Sequence, residues 1–329
     1  MFTKTKFGVI GCSTIAKTSV IPAILSSSDI SLEILGSRST FKSKLFSKKF
    51  NCKKYGTYDD VLENPNVDVV YVSLPPSLLE KWSIRAAKAG KHVICEKPAG
   101  LSFDSACKMV KNCEKNDVRI MEGFSFLHHP QHKTMKNFLK QNKLGDLFSL
   151  NSKFGFHIKK SQETFRLNKK LGGGILNDVG CYIIKISTEI FQQLPTGIFC
   201  NLVFDKKSKI DVQGTIVLNF DDQKFSTGFI SYKNSFQSTY DIWGSKGNLT
   251  VKRAFNLKKN LSGQIDIVKD NTSQKIVVKP ANQSRLMLEK FAKSLAKTDK
   301  TFEIDLLNQA KILDYAKRSS KQNKFLTIR

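Results

Sequence analysis

Apolar and polar positions follow two rhythms along the chain, and the change falls near Gly123. Up to residue 121, short β-rich runs (6–11, 31–36, 67–74, 91–95 and 118–121) alternate with stretches at helical spacing (15–25, 78–89 and 103–116). Gly90 stands where one helix should end, and Ser102 where the next should be capped. Strands that alternate with helices predict a parallel, doubly wound sheet. Beyond Gly123 a helix is expected over 131–141, a β run over 147–157, a glycine cluster at 172–174 and a helix over 179–192. From 198 to 278 the alternation has the strand period, as in 214–220 and 224–230, and two amphipathic helices close the chain at 282–297 and 305–318. Successive strands without intervening helices predict a mainly antiparallel sheet. The fold class is therefore α/β followed by α+β, with domains at 1–123 and 124–329, the last helices free to pack back on the first domain. The expected ligand site is the cleft between the domains.

Composition narrows the class without changing that outline. The chain has 329 residues, 40% of them hydrophobic, enough to bury two cores. The polar lead at residues 1–5 runs directly into a strand and a glycine turn, and no apolar run approaches the length of a membrane span, so a cytoplasmic protein is expected. Seven cysteines at irregular spacing, with no CxxC pair, argue for reduced thiols over a disulfide framework. The net charge of +26 would suit nucleic acid, yet 46 of the 54 basic residues are lysines scattered along the chain. A diffuse basic surface is expected, with no nucleic-acid or membrane partner; its potential could still concentrate anionic small substrates.

The first candidate chemistry lies at the first strand–helix turn. Gly11-Cys12-Ser13-Thr14-Ile15-Ala16 reads against GxGxxG with the first glycine kept, serine second and alanine third. A small serine still lets the backbone approach a pyrophosphate, alanine still allows close helix packing, and the helix N-terminus offers N–H groups to phosphate oxygens. The second β run ends in Gly36-Ser37-Arg38-Ser39, with no acid placed to accept from a ribose 2′-hydroxyl; Glu33 falls inside the strand. Arg38 suits a 2′-phosphate, with Ser37 and Ser39 as further donors, so NADP(H) is expected over NAD(H), against the alternative of a surface arginine beside a helix start.

Two further motifs carry candidate catalysis. Glu96-Lys97-Pro98 closes the run His92-Val93-Ile94-Cys95 and delivers a lysine from a rigid turn at a buried strand end. Gly172-Gly173-Gly174 precedes Ile175-Leu176-Asn177-Asp178-Val179-Gly180-Cys181-Tyr182, where Asp178 can cap the helix and Tyr182 follows one turn later on the same face. Taken alone, this is equally a capped helix with a core tyrosine.

In this order and spacing, Gly11 to Ala16, Glu96-Lys97-Pro98 and Gly172 to Tyr182 resemble the Gfo/Idh/MocA family of nicotinamide-dependent oxidoreductases over nearly the whole chain. The resemblance implies an N-terminal Rossmann domain and a C-terminal open-faced sheet. It implies a Lys97 that contacts substrate and nicotinamide ribose through a lysine–proline peptide that is often cis. It also places Leu74, Pro75, Glu96 and Pro98 with the cofactor, beside Gly11, Cys12, Ser13, Thr14, Ile15, Ser37 and Arg38. Tyr182 stands where many members have histidine, which is similar to the branch of dihydrodiol and xylose dehydrogenases and NDP-hexose 3-ketoreductases. Phe126 to His132, Leu171 to Asp178 and Gly244 to Phe255 look most like sugar 3-ketoreductases. The chain departs from the pattern at Pro76 and Leu79, where asparagine and histidine are frequent.

The family chemistry implies carbonyl reduction with NADPH, Tyr182 giving the proton to the alkoxide and Lys97 supplying the charge that lowers a phenol pKa of about 10. Asp178 would orient substrate or Lys97, and Arg166 would meet a substrate hydroxyl or phosphate or else form an ordinary surface pair. His128, His129 and His132 lack a carboxylate or thiolate at ligand spacing, so no metal is expected; His129 is placed lining the substrate cleft or packed under a helix. Glu122 faces the cleft or pairs with a lysine. The expected substrate is a keto-sugar, plausibly nucleotide-linked, and the expected assembly a homodimer or homotetramer. An NADP-dependent aldose or dihydrodiol dehydrogenase, and a non-catalytic nucleotide sensor, are the alternatives.

Overall fold

The computed structural model describes residues 4–158, 165–270 and 272–329, so the first three residues of the polar lead lie outside it. The chain divides into two compact units, one of residues 1–125 with 284–307, the other of 126–283 with 308–329.

In the first unit, β1 (Thr5–Ile10) leads through a π turn at Ala16–Val20 into α1 (Ile21–Leu25), followed by β2 (Ile30–Gly36), α2 (Thr40–Phe50), β3 (Lys54–Gly56), α3 (Tyr58–Glu63), β4 (Val69–Val72), α4 (Pro76–Lys88), β5 (His92–Cys95), α5 (Phe103–Lys115) and β6 (Ile120–Glu122). The strands form a six-stranded parallel sheet in the order β3-β2-β1-β4-β5-β6. All four residues of β4 are buried, as expected of a central strand covered by helices on both faces. On one face, Phe7, Val9, Leu35 and Tyr71 pack against Val20, Ile21 and Ile24, and against Met287, Leu288 and Phe291 from the returning segment. That segment is also fastened by charge. The buried Glu303 takes both Nε (2.7 Å) and Nη2 (3.1 Å) of Arg119, and the same guanidinium donates to the carbonyls of Ser294 and Lys297. Gly90 (φ +70°) lies just past α4 and Ser102 caps α5 through Ser105 N–H at 3.1 Å, as the sequence predicts.

Within 40–63, where the sequence pattern shows no element, α2 has a physical reason for being hidden. Helix α2 buries Ser43 and Ser47 beside Phe46 and Phe50 while Phe41 and Leu45 stand exposed, so its apolar residues do not share one face.

In the second unit, α6 (Pro130–Lys140) precedes β7 (Leu147–Gly155), a π turn at Leu176–Gly180 runs into α7 (Cys181–Phe191), and β8 (Gly197–Phe204), β9 (Asp211–Asn219), β10 (Phe225–Ser231), β11 (Gln237–Gly244), β12 (Gly247–Lys252), β13 (Gly263–Lys269) and β14 (Thr272–Val278) follow. After α8 (Gln283–Ser294) and α9 (Thr301–Gln322), the short β15 (Leu326–Thr327) joins the edge beside β8. The nine strands are ordered β14-β13-β12-β11-β7-β10-β9-β8-β15. The sheet is mainly antiparallel, with one exception that strand succession does not reveal: β7 enters its middle and runs parallel to β10. Helix α7 lies so close that a Cβ on Gly228 would meet Ile183 Cγ2 at 2.3 Å. On the other face, the cross-strand row Phe225, Ser149, Trp243, Asn248 and Val268 includes exposed Phe225, Trp243 and Val268. No helix among the described residues is long and apolar enough to cross a membrane.

Candidate active site

The loops after β1, β2, β4 and β5 meet at the carboxyl end of the parallel sheet. Gly11 N–H donates to Gly36 O (2.9 Å), Ser73 N–H to Ile10 O (2.7 Å) and Glu96 N–H to Val72 O (3.1 Å). The strand order reverses between β1 and β4, and ligands of open α/β sheets bind at such a switch point. Gly11 has φ +103°, and a Cβ there would sit 2.3 Å from Ser73 O, so only glycine lets the two loops touch. Ser13 Oγ accepts from Ala16 N–H at 3.1 Å and pairs with Ser73 Oγ at 2.6 Å, while Thr14 and Ile15, which open the helix, are exposed. Cys12 is buried, its Sγ 3.9 Å from Gly36 O, and burial pushes the thiol up to about 11 although Lys42 and Ser37 oppose the shift.

Beyond β2, Ser37 is buried and Arg38 exposed, and Ser39 caps α2 through Lys42 N–H at 3.3 Å. Glu33 is held by Lys54 at 2.5 Å, back along the strand from these residues. Leu74 is buried and Pro75 half-buried at the start of α4. Lys97 is half-buried and joined to Pro98 by a cis peptide bond. On either side of it the loop is pinned by carboxylates: Glu96 Oε1 accepts from the buried Tyr71 hydroxyl at 2.6 Å, and Glu122 Oε1 accepts from Ala99 N–H at 2.8 Å. Glu122 therefore holds the lysine loop by a main-chain contact, a role that its place in the sequence does not reveal.

In the second unit the glycine cluster brings Arg166 against the helix start. A Cβ on Gly173 would lie 2.4 Å from Arg166 O, and Gly174 (φ +123°) donates its N–H to that carbonyl at 3.0 Å. Asp178 does not cap the helix, contrary to expectation. The cap comes from β9, where Asp211 Oδ2 accepts from Leu176 N–H at 2.7 Å, so Asp178 lies one turn inside. Its carboxylate instead takes Arg166 Nε at 2.6 Å and the Tyr232 hydroxyl at 3.1 Å. Burial works against charge on Arg166, but Asp178 overrides it and holds the guanidinium above its ordinary value; Tyr232 and Tyr182 lie within its electrostatic reach. Burial, then Asp178, push the Tyr232 phenol well up, so it remains a donor at neutral pH. Tyr182 is half-buried against Phe126, Phe154 and Phe255, at centroid distances of 5.4, 5.2 and 5.8 Å.

The histidines have structural partners. His129 is fully buried, and its Nδ1 caps α6 by accepting from Gln131 N–H at 3.1 Å. His132 Nε2 lies 3.0 Å from Ala254 O and its Nδ1 lies 3.1 Å from the Tyr240 hydroxyl; burial lowers it to about 4, so the ring is neutral, donating to Ala254 and accepting from Tyr240. Among the described residues no group of three His, Cys, Asp or Glu is arranged to hold a metal. Asp211 and Tyr232 were missed because neither belongs to a motif; each reaches the site from its own place on the sheet.

Residues 5–124 match Gfo/Idh/MocA, described as an oxidoreductase family with an NAD-binding Rossmann fold, and residues 132–250 match the Gfo/Idh/MocA C-terminal domain. A dTDP-3,4-didehydro-2,6-dideoxy-α-D-glucose 3-reductase of Saccharopolyspora spinosa is 26% identical, the match covering 88% of this chain and 87% of that protein. A D-xylose 1-dehydrogenase (NADP+) of Haloferax volcanii is 27% identical, covering 91% of each. The crystal structure of a 3-ketoreductase from Actinomadura kijaniata, in complex with NADP and TDP-benzene, matches with a TM-score of 0.92 at 26% identity, covering 96% of this chain and 98% of that one. Motifs, two-unit architecture and both matched domains agree: this chain belongs to the Gfo/Idh/MocA family of oxidoreductases.

Proposed function

We infer that this enzyme uses NADP(H) to reduce the carbonyl of a keto-sugar, nucleotide-linked sugars included. The observation that carries the proposal is the setting of Tyr182, a half-buried phenol on an aromatic wall within electrostatic reach of the Arg166 guanidinium, which the buried Asp178 carboxylate holds at 2.6 Å.

The residues present fit the cofactor. Gly11 removes the side chain that would block the turn, the helix opening at Thr14 and Ile15 is exposed, and the loop after β2 offers Ser37 and Arg38 where a ribose 2′-hydroxyl site would offer a carboxylate. NADPH, when bound, supplies the hydride for the carbonyl carbon. Tyr182 gives its phenolic proton to the developing alkoxide and is reprotonated from solvent. Arg166, fixed by Asp178, whose carboxylate Tyr232 also holds, favours the transient phenolate, and Lys97 takes the role the family resemblance assigns it, holding substrate and ribose. Self-association belongs to the same proposal, through the exposed row around Trp243.

The test is NADPH oxidation against a panel of keto-sugars, free and nucleotide-linked. Tyr182→Phe should lose roughly 10²- to 10⁴-fold in turnover while still binding NADPH, and Lys97→Ala should weaken both. Unaltered turnover in both variants would refute the assignment. A second direction, oxidation of an aldose with NADP, draws on the likeness to the xylose dehydrogenase. Thermal stabilisation by a nucleoside diphosphate would favour reduction of a nucleotide-linked sugar over it.

A further inference from the structure

Arg38 alone does not make a phosphate site, because an exposed arginine samples many rotamers and loses that freedom when it binds. What could hold it comes from the next strand. Ile34, Leu35 and Gly36 of β2 pair in register with Lys54, Tyr55 and Gly56 of β3, and Ser37 N–H donates to Gly56 O at 3.0 Å. The two backbones nearly touch, since a Cβ on Gly36 would lie 2.6 Å from Thr57 O. Continuing that parallel register past the strand ends brings Arg38 to the level of Tyr58, close enough for its charge to favour the ionised phenol against burial.

Tyr58 is itself held from three sides. It is 7% exposed, and its ring meets the edge of Trp82 at 4.7 Å and 80°. Thr57 and Asp60 close a capping box around the start of its helix, with Thr57 N–H to Asp60 Oδ2 at 2.6 Å and Asp60 N–H to Thr57 Oγ1 at 3.2 Å. Arg85 stacks over Trp82 at 4.5 Å and pairs with Asp59 at 2.5 Å, which ties α4 to α3 behind the tyrosine. A phenol so restrained can orient a mobile guanidinium at little entropic cost. Its own interior position supports this: burial raises the phenol and Arg38 opposes the shift, so Tyr58 stays a neutral hydroxyl able to accept from the guanidinium.

We propose that Tyr58 is a positioning residue for cofactor choice, holding Arg38 in the orientation that receives the 2′-phosphate of NADP(H). The proposal rests on the assignment of NADP(H) made above, and it is tested by binding, which needs no knowledge of the sugar. Calorimetric titration with NADPH and with NADH is compared for the wild-type protein, Tyr58→Phe, Arg38→Ala and the double variant. Tyr58→Phe keeps the ring on Trp82 and removes only the hydroxyl; it should weaken NADPH about tenfold and leave NADH unchanged. Arg38→Ala should weaken NADPH at least as much, and the double variant should be no weaker than Arg38→Ala, because the hydroxyl acts through the arginine. If Arg38→Ala lowers the preference for NADPH but Tyr58→Phe does not, the positioning role is overturned while NADP(H) stands. Equal weakening of both nucleotides by Tyr58→Phe also overturns it, since that marks a disturbed fold. If Arg38→Ala leaves the preference untouched, the 2′-phosphate assignment fails and takes the proposal with it.

Discussion

Replacing Glu303 by glutamine should destabilise the first unit more than any surface charge change. The side chains of Arg119 and Glu303 are 8% and 3% exposed and meet through two hydrogen bonds, at 2.7 and 3.1 Å, while Glu303 also accepts from Ile120 N–H at 3.2 Å. In Glu303→Gln the charge is gone and an amide N–H₂ faces a guanidinium that stays buried. Removing one partner of a buried pair costs about 3–5 kcal/mol. The carbonyls of Ser294 and Lys297 remain on Arg119, and Asp299 stands 4.0 Å away at the rim, so the lower end, about 3 kcal/mol, applies. With a urea slope of about 2 kcal/mol/M, the midpoint of this unit should fall by roughly 1.5 M. The chain has two tryptophans, Trp82 in the first unit and Trp243 in the second, so fluorescence in a Trp243→Phe background follows the first unit by itself. Arg119→Met with Glu303→Leu removes both charges and should be more stable than Glu303→Gln alone. A midpoint shift below about 0.25 M would refute the reasoning, because that is the value of an exposed pair.

Acid should act on the second unit in two steps. Burial lowers His132 to about 4, a depressed pKa, so its contribution is complete above the unfolded value of about 6.5 and about 3 kcal/mol is lost as pH falls toward 4. Burial would raise Glu189, but the ion pairs with Lys185 and Lys136 prevail and bring it to about 2; its contribution, also about 3 kcal/mol, holds above pH 4.5 and is lost toward pH 2. Unfolding free energies measured from pH 8 to pH 3 should show the first step in the wild type and lose it in His132→Gln; a flat wild-type curve between 6.5 and 4 would count against the buried neutral ring. Asp178→Asn should lower turnover roughly 10²-fold, by releasing Arg166, with NADPH affinity unchanged. Full turnover in that variant would remove Asp178 and Arg166 from the proton-delivery proposal.

Where chemistry depends on residues close in sequence, the chain was legible. The turn at Gly11, the strand-end Lys97 and the helix bearing Tyr182 each follow from a local pattern, as do the alternating strands and helices of the first unit. Helix α2 was not legible, because its apolar residues are split between two faces: Phe41 and Leu45 are exposed, while Phe46 and Phe50 pack inward beside buried serines. Asp178 shows the commoner limit. Its place before a helix suggested a cap, yet Asp211, 33 residues later in the chain, supplies that cap, and Tyr232 and Arg166 take the carboxylate.

The sequence by itself determined the family and most of the order of elements, α2, β3 and α3 excepted, and it supplied the candidate reactive groups. Tertiary structure alone decided which strand lies beside which, setting β7 parallel to β10 at the centre of the second sheet and β3 beside β2 at the edge of the first. The physical reason is range. Strand period, helix period and turn chemistry are set by neighbours a few residues apart, whereas the partner of a buried charge or hydroxyl is whichever group the folded backbone brings within 3 Å, however distant along the chain.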